Sequence, residues 1–148
     1  MAMILAVSVR RAAGGVLVRT DDGERLVHVA SARWESDTPE ALARLVEEAH
    51  GEPVESAVAS AADDDVRESL CATIRGLVPG ITPLGTTPKT TRRAVVGHAQ
   101  ASDGAVDDRL VAAIEGLATV ESATVRDALL AAVWSEHQRR ARVLRDGG

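Results

Sequence analysis

Residues 3 to 20 read MILAVSVRRAAGGVLVRT, and this stretch decides the fold. The run from residue 3 to residue 9 is apolar apart from Ser8, which is typical of a buried strand. Arg10 and Arg11 form a charged turn, and a glycine pair opens a second apolar run over residues 15–19. Two such runs joined by a short turn predict an antiparallel pair of strands. Ser8, near the end of the first strand, becomes a candidate site residue.

The following elements extend this pair into an α/β fold. The segment TDDG at residues 20–23 is typical of a hairpin turn and predicts a third strand over residues 25–33. Helical spacing then alternates with strands predicted at residues 54–60 and 81–86. The helices are predicted to begin at Thr38, Asp63, Thr87, Ser102 and Ser122. The order β-β-β-α-β-α-β-α-α-α predicts a mixed five-stranded sheet flanked by helices.

Composition limits the classes of protein to consider. The 148 residues, 45% of them hydrophobic, predict a single soluble domain over residues 1–148 whose basic end, residues 139–148, frays. The apolar run at the N-terminus is too short for a signal peptide or a membrane span, so we expect a cytoplasmic protein. The single cysteine, Cys71, excludes an intramolecular disulfide and is interpreted as a small buried hydrophobe. The net charge of −5 disfavours strong non-specific DNA binding.

Three stretches together resemble the RuvC-type Holliday junction endonucleases, which have a ribonuclease-H-like fold. The opening MAMILAVSVRRAAGGVLV is similar to the family's first hairpin, in which the first strand ends in Asp-Pro-Gly. The segment TPKTTRRAVVGHAQASDGAV, residues 87–106, resembles a later family segment with basic residues and a Val-Val-Gly. The stretch RDALLAAVWSEH, residues 126–137, resembles the signature of the last helix. The resemblance implies a DNA nuclease fold and a homodimer, and the many alanines, arginines and valines predict a bacterial source.

The resemblance also implies where catalytic carboxylates would lie. The family cuts phosphodiesters with two divalent metal ions, which need hard, anionic oxygen ligands. The first-strand aspartate of the family falls on Ser8, and the glutamate of the fourth strand falls on Ala59, or on Ser60 if the register shifts by one. An acidic or histidine position of the last helix falls on Thr124, and only Asp127 keeps its acid. Most of the catalytic acids are therefore absent, and we predict no metal site.

Nucleic-acid contacts are implied at a small basic cluster. Arg92 aligns near a family lysine that contacts DNA, and Lys89 and Arg93 flank it. The aromatic wedge of the family has no counterpart, because the chain contains two tryptophans and neither phenylalanine nor tyrosine. We therefore expect weak binding of branched DNA or of an unidentified protein partner, without a membrane and without a cofactor.

Two functions stay open at this point, with a third ranked last. The first is a catalytically degenerate RuvC-like protein, a non-catalytic module that binds protein or branched DNA. The alternative is an active Mg²⁺-dependent, structure-selective endodeoxyribonuclease whose ligands have moved to Asp63, Asp64, Asp65 or Glu68 together with Asp127. The actin and sugar-kinase ATPase fold opens with a similar hairpin, but its phosphate loop needs an aspartate and more glycines than residues 8–15 contain.

Overall fold

A mixed six-stranded sheet forms the centre of the computed structural model, which describes residues 2–21 and 25–147. In chain order, the strands are β1 Ala2–Val9, β2 Ala13–Asp21, β3 Arg25–Trp34, β4 Val54–Ser60, β5 Leu84–Thr86 and β6 Ile114–Glu115. The helices are α1 Thr38–Glu47, α2 Asp64–Leu77, α3 Pro88–Val96, α4 Asp103–Ala113 and α5 Ala123–Gly147. The expected α/β order is confirmed, while the predicted hairpin turn at residues 20–23 lies partly outside the described residues.

The sheet has the strand order β5-β4-β1-β2-β3-β6. Strands β1, β2 and β3 form the predicted antiparallel meander, and β4 and β5 run parallel to β1. The sequence predicts five strands, and the short β6 is the sixth, pairing with Leu26 and Val27 of β3. Ile114 of β6 is fully buried. Because burial of Ile114 also fits the helical spacing of α4, the sequence pattern extends that helix too far.

Helices cover both faces of the sheet, and each face has its own apolar core. On one face, α3, α4 and α5 pack over side chains that include Ile4, Ala6 and Val58. On the other face, α1 and α2 pack over side chains that include Leu5 and Ala59. Alternate residues of β1 and β4 therefore belong to different cores, as the two-residue period of a strand requires.

The helix starts follow the sequence signals with one exception. Side chains cap α2, α3, α4 and α5 as predicted, those of Asp63, Thr87, Ser102 and Ser122. The predicted cap Thr38 is instead the first residue of α1, and Asp37 precedes the helix in a left-handed conformation. The hydroxyl of Thr38 instead accepts a hydrogen bond from the indole of Trp34.

The basic end of the chain belongs to the last helix. Helix α5 runs without interruption to Gly147 and so includes residues 139–147, and the fraying of this end stays a prediction. Ion pairs from Arg139 and Arg140 to the buried Glu136 tie this segment to the preceding turn. None of the helices that the structure describes is long and apolar enough to cross a membrane.

Candidate functional site

A row of buried hydroxyl groups lies where β1, β4 and β5 end. Ser8 pairs with Ser60, and Ser60 pairs with Thr86, so the three residues are side by side in the sheet. We call them the hydroxyl row. Ser8 and Ser60 are 0% exposed, and none of the three hydroxyls has a hydrogen-bond partner among the described residues. Buried, neutral hydroxyls therefore occupy the carboxyl edge of the sheet.

The pairing decides which residue of β4 lies with Ser8. Paired residues of neighbouring strands point to the same face, so Ser60 shares the α5 face with Ser8. Ala59 packs in the opposite core, beneath α1 and α2. Ser60, and not Ala59, therefore lies beside Ser8 at this edge, and the match of either residue to the family's glutamate stays a prediction.

The first turn of α5 lies directly on β2. Gly14 pairs with Ser8, and a Cβ atom added at Gly14 would come within 2.7 Å of the backbone carbon of Thr124. Only glycine allows this approach without a shift of the helix. Thr124 is buried, and its hydroxyl lies 3.3 Å from that of Ser122. The glycine thus brings α5, and with it Asp127, to the edge of the sheet.

Asp127 follows Thr124 by one turn and is fully buried. Arg10 donates to both of its carboxylate oxygens, from Nε to Oδ2 at 2.5 Å and from Nη2 to Oδ1 at 3.3 Å. Burial raises the pKa of Asp127 above its usual value, and the hydrogen bond and charge of Arg10 offset part of that rise. Weaker charge effects from Arg92 and Arg126 lower the same pKa. The acid therefore already has a cationic partner.

A cleft of about 760 Å³ opens beyond the ends of β1, β4 and β5, and we call it the edge cleft. Its charged lining residues are Arg10, Asp63, Lys89, Arg92 and Asp103. Arg92 donates to the carbonyl of Ala101 and pairs with Asp103, so its guanidinium is held by α4. The positive charges of the edge cleft exceed the negative ones by one.

A second cleft of about 400 Å³ shares Arg10 with the edge cleft, and we call it the arginine cleft. Arg10, Arg11, Arg33 and residues 122–124 at the start of α5 line it, together with Ala12. None of the described residues that line the arginine cleft is acidic. The two clefts form a continuous basic edge.

Comparison with solved structures finds similar folds. A RuvC structure from Thermus thermophilus has a TM-score of 0.68 and 10% sequence identity, over 94% of this chain and 96% of that chain. RuvC from the same organism in complex with a Holliday junction substrate has a TM-score of 0.62 and 16% identity, over 97% of this chain and 96% of that chain. This chain has a RuvC-like fold. No protein-family profile matches the RuvC-like chain, and no curated protein matches it in sequence.

The residues at the edge do not fit the metal pair that the RuvC resemblance implies. Divalent ions such as Mg²⁺ need several anionic oxygens, and here Ser8, Ser60 and Thr124 supply only neutral hydroxyls. The carboxylate of Asp127 is bound by Arg10. Among residues 2–21 and 25–147, no group of three histidines, cysteines or acids could hold a metal ion.

The proposed replacement ligands at the start of α2 have other roles in the RuvC-like chain. The carboxylate of Asp63 accepts hydrogen bonds from the backbone amides of Asp65 and Val66. Asp64 forms an ion pair with Arg67. These acids therefore stabilise the beginning of a helix, as expected for carboxylates in a first turn.

The predicted basic cluster is divided by the structure. Lys89 and Arg92 line the edge cleft, whereas Arg93 is exposed on α3 and lines neither cleft. Sequence reasoning did not assign a role to Arg10, Arg11 or Arg33. The pair of arginines directly after a buried strand was the available signal, because the ends of strands collect at a sheet edge.

Proposed function

We propose that this chain is a catalytically degenerate RuvC-like protein that binds branched DNA without cutting it. The observation that carries the proposal is the ion pair between Arg10 and Asp127, with 2.5 Å between Nε and Oδ2. It lies where the resemblance implies metal ions. A guanidinium neutralises the carboxylate but cannot activate a water molecule as a metal ion does.

The surroundings of this ion pair support the loss of hydrolysis. A divalent ion at Asp127 would have to displace Arg10 and would then find Ser8 and Ser60 as neutral neighbours. Two ions would share one carboxylate, which leaves most of their charge uncompensated. The energetic balance therefore favours the arginine over metal ions.

The basic edge supports an interaction with DNA. Five cations line the two clefts, namely Arg10, Arg11, Arg33, Lys89 and Arg92, against two lining acids and the buried Asp127 that pairs with Arg10. A local basic patch can bind nucleic acid even on an acidic protein. Because the net charge is −5, we expect moderate affinity with strong salt dependence. The similar fold of a RuvC solved with a Holliday junction substrate makes a branched substrate the first choice.

Binding and cleavage are tested together on a four-way junction and on a linear duplex of the same sequence. We expect the junction to be bound more tightly than the duplex, and to stay intact in Mg²⁺ or Mn²⁺ at high protein concentration. The matched variant is Asp127→Asn, which removes the single retained acid.

Each outcome of this assay has a definite meaning. Metal-dependent cutting that disappears in Asp127→Asn would show an active endonuclease with rebuilt ligands and overturn the proposal. Equal affinity for junction and duplex, or no binding to either, would exclude the branched-DNA role and favour a protein partner. The homodimer expected from the resemblance stays a prediction, which sedimentation equilibrium of the free chain would check.

A further inference from the structure

The arginine cleft contains two cations that have no role in the fold. Arg11 and Arg33 are exposed, and neither forms an ion pair or a side-chain hydrogen bond with any described residue. Their neighbour Arg10 is held by Asp127, yet 49% of its side chain is exposed. Like charges that converge without a counter-charge repel each other, so the arrangement favours an anionic ligand.

The fold fixes where these arginines lie. Arg33 pairs with Gly14 across β2 and β3, and the backbone of Thr124 covers the space above that glycine. Arg33 therefore stands on the α5 face, beside the first turn of α5. Arg10 and Arg11 belong to the tight turn between β1 and β2, in which the amide of Arg10 donates to the carbonyl of Ala12. The turn, strand β3 and the first turn of α5 therefore bring the three arginines to one cleft.

The start of α5 adds to the positive potential of the arginine cleft. The first turn of this 25-residue helix contains no acidic residue, and the amino end of a helix carries partial positive charge. The hydroxyl of Ser122 accepts from the backbone amide of Val125, which fixes the direction of the turn. The arginines supply the positive charge of the arginine cleft, and the helix end adds to it.

We infer that the arginine cleft is a phosphate-binding subsite, separate from Asp127, where the resemblance implies metal ions. Arginine presents a planar fork of donors that matches phosphate oxygens, and bonds between charged groups of this kind are the strong ones. The source of the phosphate is a DNA strand, so the inference rests on the proposed function. An internal phosphodiester and a terminal phosphate monoester share the required chemistry.

The test compares charge removal inside and outside the cleft of the full-length protein. Arg11→Gln and Arg33→Gln each remove one cation from the arginine cleft. Arg75→Gln removes one exposed cation from α2, on the opposite face of the sheet. Because the targeted side chains are exposed, all three variants are expected to fold, and circular dichroism and thermal unfolding check this. Arg10 is left in place because it pairs with Asp127.

Fluorescence anisotropy in EDTA measures binding of a four-way junction and of single strands with a 5′-phosphate or a 5′-hydroxyl. Losing a charged hydrogen bond costs about 1.5–3 kcal/mol, so we expect each cleft variant to weaken binding roughly tenfold or more. The slope of the logarithm of the binding constant against the logarithm of the salt concentration should become smaller in magnitude by about one per lost phosphate contact. Arg75→Gln should bind within about twofold of the parent chain.

The substrates distinguish the two sources of phosphate. Equal losses on 5′-phosphorylated and 5′-hydroxyl strands would identify an internal phosphodiester, and a loss confined to the phosphorylated strand would identify a terminal monoester. Junction binding that is equally strong in Arg33→Gln, Arg11→Gln and Arg75→Gln would overturn the subsite while leaving the proposed function intact.

Titration with inorganic phosphate tests the subsite in the case that the chain binds no DNA. If no DNA is bound, but phosphate binds the parent chain and binds Arg33→Gln at least tenfold more weakly, the subsite stands and the DNA function is lost. If neither DNA nor phosphate is bound, both proposals fail.

Discussion

Helix α5 carries two buried carboxylates that are neutralised in different ways. Glu136 is 1% exposed and accepts hydrogen bonds from Arg139 at 2.5 and 3.0 Å and from Arg140 at 3.1 Å. Both partners belong to the next turn of the same helix. Asp127 is 0% exposed, and its bonded partner is Arg10, which lies 117 residues away in the sequence.

The difference separates local from tertiary stabilisation. Spacings of three and four residues bring side chains together on any helix, so the Glu136 cluster forms wherever the helix forms. The pair of Asp127 and Arg10 exists only while α5 lies on β2 at Gly14. Perturbing that contact should therefore affect the Asp127 region and leave the Glu136 region nearly unchanged.

The largest effect is expected for Gly14→Ala. The added Cβ would lie 2.7–2.9 Å from backbone atoms of Thr124 and Val125, which cannot rotate away as a side chain would. Forced shifts of this kind cost about 1–3 kcal/mol and occasionally more, and we expect a loss of about 3 kcal/mol in urea unfolding. The matched variant is Gly76→Ala on α2, where an added Cβ would meet no described atom within 4 Å beyond its chain neighbours and the backbone of its own helix. The higher helix propensity of alanine should raise the stability of Gly76→Ala by about 0.5–1 kcal/mol. Equal unfolding free energies for Gly14→Ala and Gly76→Ala would contradict the close contact between Gly14 and α5.

Arg10→Ala is expected to have the next largest effect. It leaves the buried carboxylate of Asp127 without its bonded partner, and breaking a buried pair in this way costs about 3–5 kcal/mol. We expect a loss of about 2 kcal/mol in the free energy of unfolding, because Arg10 is half exposed and Asp127 can take up a proton instead. Arg11→Ala is the control, since its side chain has no hydrogen-bond or ion-pair partner among the described residues and the change should alter stability by less than about 0.5 kcal/mol. A similar loss in both variants would show that the ion pair contributes nothing specific.

The pH dependence of the stability of Asp127→Asn tests the same ion pair through a change of the acid instead of the arginine. Burial raises the folded-state pKa of Asp127 above its ordinary value of 3.8. The folded chain therefore holds this proton more tightly than the unfolded chain does. The resulting stabilisation is fully present below the unfolded-state pKa and is lost as pH rises through the folded-state pKa.

Urea unfolding at a series of pH values measures this effect. The stability of the parent chain minus that of Asp127→Asn should fall as pH rises above about 3.8 and then become constant. All other titrating groups are common to both proteins and cancel in the difference. A difference that increases with pH would mean that the pairing with Arg10 outweighs burial and lowers the pKa.

These cases show which parts of the molecule the sequence could predict. The strand that contains Ser8 and the capping side chain of Ser122 follow from local patterns, and the acid Asp127 was singled out by the family resemblance. The partner of Asp127 does not, because no local pattern relates Arg10 to a helix more than a hundred residues later. Arg33 was missed for the same reason, since its position beside α5 depends on the pairing of β3 with β2.

The smallest effect is expected for Arg139→Ala, at the local cluster. Glu136 keeps its hydrogen bond from Arg140, and a half-exposed ion pair contributes about 0.2–1 kcal/mol. We therefore expect a loss of less than about 1 kcal/mol in urea unfolding, clearly below that of Arg10→Ala. The double variant Arg139→Ala with Arg140→Ala should lose more than the sum of the two single losses, because only then is Glu136 buried without either arginine. Strict additivity would show that each arginine acts independently, and the redundancy that distinguishes Glu136 from Asp127 would then be absent.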